Sequence, residues 1–175
     1  MDRWRAVAIS AAVMVAGQAY GFEEFDETAI DRWIYVQDGV MGGVSQGRAG
    51  LDEGAMRMVG QVSTANNGGF IQVRQRGFAP WPAQAQGLRL EAKGNGERYY
   101  VFLRTPDARF VSWSYRATFE TTDEWARIDI PFSAFQPSSG SMPPSFAPDA
   151  VTSIGIVAYG RDHTADVSVR SIALY

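Results

Sequence analysis

Side chains able to do covalent chemistry are scarce in this 175-residue chain. There is no cysteine and a single histidine, His163, within Arg161-Asp162-His163-Thr164. A nucleophilic triad needs a base beside its nucleophile, and no serine stands in a nucleophile-elbow motif. A solvated turn before the last strand accounts for His163 more simply. One histidine and no thiolate also leave too few ligands for a zinc or redox-metal site, and no cofactor is expected. Glycoside hydrolysis needs two facing carboxylates. Asp123 and Glu124 are adjacent, so on a strand they would point to opposite faces; they read as a turn before Trp125. Asp38 has no partner acid that the sequence identifies. The acidic run Glu23, Glu24, Asp26, Glu27 and Asp31 offers oxygens of the kind calcium takes. Its spacing fits no calcium loop, and a solvated first strand and turn is the simpler reading.

Binding is better represented than catalysis. Asp38-Gly39-Val40-Met41-Gly42-Gly43-Val44-Ser45 and Asn66-Asn67-Gly68-Gly69-Phe70 each join small polar residues to a double glycine. Glycine admits positive φ and close approach of another backbone or a ligand, and paired glycines weaken a strand interior. Both stretches are therefore placed at turns or bulges, where Asp38, Ser45, Asn66 and Asn67 can bond nearby backbone. The structural reading is two tight corners. The functional reading is a shared polar surface where Asp38, Gly39, Met41, Gly42, Gly43 and Ser45 meet Asn66, Asn67, Gly68 and Gly69. Gly39, Gly42 and Gly43 lack the lysine and the strand–helix setting of a phosphate loop, and a dinucleotide fold is excluded on the same ground. Trp81, Trp113, Trp125, Tyr99, Tyr100 and Tyr159 could supply an aromatic platform for sugars. Trp81, flanked by Pro80 and Pro82, is the residue expected to be exposed, whereas Trp113 is assigned to the core.

Trp33, the stretch Asp38 to Ser45 and Asn67-Gly68-Gly69-Phe70 resemble the complex I intermediate-associated protein family. Gly94-Asn95-Gly96 with Tyr99, Trp125, Ile130-Pro131-Phe132-Ser133 with Phe135, and Ile154-Gly155-Ile156 follow in the same order. The resemblance covers nearly everything after the first thirty or so residues. It implies a jelly-roll β-sandwich of the galactose-binding type and a non-enzymatic part in assembling respiratory NADH dehydrogenase. The implied partner is a protein, either subunits of the respiratory complex or another envelope assembly. The alternative is an exported carbohydrate-binding β-sandwich.

Size and composition set the outer limits. A chain of 175 residues is one domain and can bury a sizeable core without disulfides. The net charge of −3 is too mild to imply a nucleic-acid partner. Residues 1–19 read as a signal peptide: Arg3 and Arg5, an apolar run from Ala6 to Ala16, then Gly17-Gln18-Ala19. The run is short for a bilayer span, which needs ~20 apolar residues. The expectation is an exported, periplasmic domain over residues 20–175, with no membrane span after cleavage; the alternative is anchoring by an uncleaved N-terminus.

The elements that must position these residues are strands. Eighteen glycines and eight prolines, with five tryptophans, seven tyrosines and ten phenylalanines, suit an all-β chain with many turns. Met56, Met58 and Val62 share one face of a period-two pattern, as do Ile71 with Val73, and Leu88 with Leu90 and Ala92. Gly77 to Gln86 reads as a crossing loop. Gly94-Asn95-Gly96 predicts a hairpin leading into a central strand over 98–105. Val111, Trp113, Tyr115, Ala117 and Phe119 alternate with polar residues. A parity slip predicts a bulge near Arg170-Ser171. The pattern as a whole predicts an all-β sandwich of two antiparallel sheets.

Overall fold

The computed structural model describes residues 20–175; the proposed signal peptide lies outside the described residues. Twelve strands follow in chain order: β1 (Tyr20–Glu24), β2 (Trp33–Gln37), β3 (Gln46–Asp52), β4 (Ala55–Val62), β5 (Phe70–Arg76), β6 (Gly87–Gly94), β7 (Arg98–Arg104), β8 (Tyr115–Glu120), β9 (Ala126–Pro131), β10 (Gln136–Pro137), β11 (Ser153–Tyr159) and β12 (His163–Leu174). A single helical turn, α1 (Ala29–Arg32), separates β1 from β2. The first sheet runs β3-β4-β12-β6-β9, with β1 added to the second half of β12; the other runs β10-β8-β7-β11-β5-β2. All pairings are antiparallel. The expected all-β sandwich is borne out.

Period-two patterning decides which faces meet. Met56, Met58, Val62, Leu88, Leu90, Ala92, Val167, Val169 and Ile172 of one sheet are buried, as are Ile71, Val73, Tyr99, Val101, Leu103, Tyr115, Ala117, Phe119, Ile154 and Ile156 of the other. Each large apolar side chain taken from water contributes about 1.5–3 kcal/mol. The predicted bulge is present: the β12–β6 register shifts between Val169 and Ser171.

Four expectations are corrected. Gly94-Asn95-Gly96 is not a hairpin, because β6 belongs to the first sheet and β7 to the second. It is a corner between layers. The Asn95 N–H donates to the Asp166 carbonyl, its amide donates to the Thr164 carbonyl, and its side-chain oxygen accepts from the buried Tyr99 hydroxyl at 2.6 Å. Burial pushes the Tyr99 phenol up to about 12. Second, β8 begins at Tyr115, so Val111 and Trp113 lie in the preceding loop; Val111 is exposed, while Trp113 is half-buried and still packs against the core. The loop bends there because the Trp113 N–H turns back to the Phe110 carbonyl. Third, the first strand is not wholly solvated. Glu23 is buried, accepting from Arg32 at 2.5 Å and from the Trp33 indole at 3.0 Å.

Trp81 is the fourth. It is 3 % exposed. The prolines do produce a crossing loop, from β5 in one sheet to β6 in the other. Such a loop must close one end of the sandwich, and its largest apolar side chain turns in. Trp81 stacks on Phe78 (5.5 Å, 10°) and Phe132 (6.0 Å, 7°) and takes Phe22 edge-on.

Candidate functional site

The two glycine-rich corners meet. Asp38 opens a 3₁₀ turn after β2, and Gly42 ends it at φ +88°, a left-handed conformation that glycine adopts without strain. The second corner is a short turn over Ala65–Asn67, with Asn66 and Asn67 at φ +56° and +60°. Asparagine is among the residues that tolerate this region.

What joins the corners is the Asp38 carboxylate, which is fully buried. It accepts from the Ser45 N–H (3.0 Å) and hydroxyl (2.5 Å) on its own corner. Across the gap it accepts from the backbone N–H of Gly69 (2.6 Å) and Phe70 (3.2 Å). Ser45 extends the link through the Ser63 N–H at 3.0 Å. Burial alone would raise the Asp38 carboxyl, but these four hydrogen bonds outweigh it and hold it below the ordinary carboxylate value. Gly39, Met41, Gly42, Asn66 and Asn67 are exposed around this latch, Gly43 and Gly68 are half-buried, and Gly69 is buried.

The glycines are there for room as well as for conformation. A Cβ on Gly43 would lie 2.8 Å from the Asp38 Cβ; one on Gly68 would lie 2.9 Å from the Asp38 Cγ and 3.0 Å from the Gly43 Cα. Gly68→Ala, at an ordinary negative φ, therefore pushes directly on the latch. We expect it to lower stability in urea by about 1–3 kcal/mol. Gly50→Ala, which meets nothing within 4 Å, should stay within about 0.5 kcal/mol of the parent. Equal effects of the two would show that the corners are not tightly joined.

The aromatic residues are dispersed. Tyr99 and Trp81 are buried. Trp125 lies against the first sheet, with the Lys93 ammonium 5.0 Å and the Arg170 guanidinium 4.7 Å from its ring. Tyr100 and Tyr159 come together on the outer face of the second sheet, with Phe102 between them. Their ring centroids are 5.3–5.9 Å apart and edge-on. Arg116 lies over Phe102 (4.5 Å) and Tyr159 (4.9 Å) and donates to the Tyr159 hydroxyl, the Ser114 hydroxyl and the Ser112 carbonyl. This face has no second sheet over it: Tyr100, Phe102 and Tyr159 are half-buried, packed against one another and beneath Arg116.

The two outer faces differ in charge. On the first, Arg57, Arg89 and Arg170 pair with Asp166, Asp129 and Glu91, an ordinary solvated surface. On the second, Arg98 pairs with Glu120 at the sheet's end. Arg74, Arg76, Arg104 and Arg116 have no carboxylate partner among the described residues. Sequence reasoning singled out Tyr100 and Tyr159 but missed Phe102 and the arginines. The signal was present: Gln72, Arg74 and Arg76 share the outward parity of β5 with no acid among them. Their meeting with Arg104 depends on strand order, which parity does not give.

His163 is not the solvated turn residue expected: it opens β12, half-buried, with Nε2 buried and unpartnered among the described residues. It directs Nδ1 to the Arg161 carbonyl at 2.9 Å, not to a serine or a carboxylate. Among the described residues, no cluster of three or more histidine, aspartate or glutamate side chains could hold a metal ion.

The profile of complex I intermediate-associated protein 30 matches residues 22–168, both corners included. The chain belongs to this family. None of the curated proteins matches it. Among solved structures, this family member is similar to a family 11 carbohydrate-binding module of a cellulosomal cellulase of Clostridium thermocellum. The two share 15 % identity with a TM-score of 0.70, over 91 % of this chain and 95 % of the module. The same kind of module in complex with a β-1,3-1,4-mixed-linked tetrasaccharide gives 0.69 at 15 % identity, over 89 % and 94 % of the two chains. An agarase matches at 8 % identity and 0.63, over 89 % of this chain but 24 % of the agarase. At such identities the likeness is one of fold. It sets the family's sequence pattern on the same β-sandwich as these modules.

Proposed function

We propose that this chain is a non-catalytic glycan-binding module whose ligand lies on the outer face of the second sheet. One observation carries the reading: Tyr100, Phe102 and Tyr159 stand side by side on an uncovered sheet face, fixed by Arg116. Aromatic side chains with a few fixed polar groups are what such sites are made of, and rings held by neighbours lose little entropy on binding. The solved module that holds a tetrasaccharide has the same fold, which supports the reading. The groups best placed for acid–base work, Asp38 and Glu23, are instead engaged in structural hydrogen bonds. The signal-like residues 1–19 favour a place outside the cytoplasm, where polysaccharides are met.

Calorimetry against a panel of neutral and acidic oligosaccharides tests this. At least one should bind, and Tyr159→Ala should weaken it about tenfold, a loss of ~1.4 kcal/mol, with the circular dichroism unchanged. No heat from any glycan at millimolar concentration would overturn the proposal.

A second reading follows from family membership: docking to a protein during assembly of respiratory NADH dehydrogenase. Met41 and Val44 on the first corner and Ile34 on β2 are exposed, and apolar side chains around a rigid latch suit a protein interface. Retention of respiratory subunits by the parent, lost in Met41→Ser/Val44→Ser, would favour it. Among the described residues no helix is long and apolar enough to cross a membrane.

A further inference from the structure

Beside the aromatic cluster, at the Arg76 end of β5, the second sheet's outer face opens into a depression of about 630 Å³. Arg74 and Arg76 of β5, Arg104 of β7, Ser153, Thr152 and Val111 line it, and no carboxylate does. Three guanidinium groups share one opening in a protein whose net charge is −3. Arg104 is held by the loop before β8: its guanidinium donates to the carbonyls of Ala108 (2.7 Å), Phe110 (3.0 Å) and Val111. Arg74 is not so satisfied; its Nε is buried without a hydrogen-bond partner. Burial first, then the charges of Arg76 and Arg104, push the Arg74 guanidinium below its ordinary value. Like charges gathered on a low-dielectric face repel one another, and a bound anion relieves that repulsion.

We propose that this depression is an anion subsite that takes the carboxylate or sulfate groups of an acidic polysaccharide. The inference rests on the glycan reading above and narrows it. Guanidinium forks match planar oxyanions with paired hydrogen bonds. Two observations point to a polysaccharide rather than an acidic polypeptide. The strands that contribute to the lining, β5, β11 and β7, are all interior strands with a neighbour on each side, so they offer no free backbone edge for an added peptide strand. Aromatic rings also border the arginines: Phe102, which lies across Gly155 from Arg74 and leads on to Tyr100 and Tyr159, and Phe110, 60 % exposed, on the loop that Arg104 holds. A pyranose ring offers a face to stack and an acidic substituent to pair at the same time.

The test is calorimetry with the full chain against polygalacturonate, an unsubstituted mixed-linked β-glucan, polyglutamate and sodium sulfate. We expect polygalacturonate to bind tightest and to weaken steeply between 50 and about 300 mM salt, where the screening length shortens. Arg76→Gln, at an exposed side chain, should weaken it about tenfold, and Arg74→Gln/Arg76→Gln at least a hundredfold. Arg48→Gln, on β3 of the other sheet, should leave it unchanged. Binding of the β-glucan alone, unaffected by Arg76→Gln, overturns the anion subsite and leaves the glycan reading standing. Polyglutamate binding as tightly as polygalacturonate overturns the assignment to a polysaccharide. Binding of sulfate without the polymer reduces the site to a free-anion site and overturns it likewise. No binding by any of the four overturns the subsite, and failure across the wider panel then removes the glycan reading too.

Discussion

Asp38→Ala lowers the unfolding free energy by about 3–5 kcal/mol, the range for removing one partner of a buried charged network. The expectation follows from the count of donors facing the carboxylate. Ser45 N–H, Ser45 hydroxyl, Gly69 N–H and Phe70 N–H all end on its two oxygens. Alanine leaves the backbone donors buried beside a void. Asp38→Asn nearly preserves shape yet turns an amide N–H₂ toward one group of donors, so we expect it to lose about 2–3 kcal/mol. The pH dependence separates this from a packing effect. The carboxyl is held below its ordinary value; its contribution is therefore complete above the unfolded value near 4 and is lost as the pH falls through the folded one. The stability gap between the parent and Asp38→Asn, measured by urea unfolding, should be constant from pH 6 to 8 and narrow below about pH 4. A gap that stays constant into acid would mean the oxygens are not held as ionised acceptors.

Trp81→Ala is expected to cost about 3–5 kcal/mol as well, by a different route. The indole is 3 % exposed and stacks on Phe78 and Phe132 while Phe22 meets its edge. Its loss would open a cavity where β1, the crossing loop and the turn after β9 converge. Trp81→Phe keeps the stack and removes an indole N–H that has no partner among the described residues, so it should cost less than about 2 kcal/mol. Both variants should bind polygalacturonate as the parent does at temperatures where they stay folded. A loss of affinity in the folded Trp81→Phe variant would return Trp81 to the ligand surface.

Trp81 also marks the boundary of what the chain's order reveals. Inside strands, alternation alone separates Met56, Met58 and Val62 from Arg57 and Gln61, because a strand's side chains must face one of two sides. In a loop no such period exists, so flanking prolines located the crossing but not the direction of the indole. Val111 and Trp113 failed similarly: their alternation continued that of Tyr115 to Phe119, yet the backbone had already bent away. Gly94-Asn95-Gly96 has the residues of a hairpin, but which sheet each flanking strand joins is settled by partners far along the chain, β12 for β6 and β11 for β7. The meeting of the two corners was legible because both carried the same unusual glycine content. Nothing local showed that Asp38 would be the acceptor joining them, or that Arg74, Arg76 and Arg104 would converge.

The last of the twelve strands lies at the centre of the first sheet. β12 pairs with β4 on one side, with β6 on the other, and with β1 beyond the bulge. As the polypeptide leaves the ribosome, β1, β4 and β6 therefore emerge with no common neighbour, and the layer cannot close until residues 163–174 have appeared. Closure depends on contacts between distant parts of the chain, the kind that makes folding slow, and the waiting strands expose bare edges on which nascent chains associate. The same wiring makes the layer all-or-none: a chain halted before His163 retains most of the sequence and none of the first sheet's central pairing.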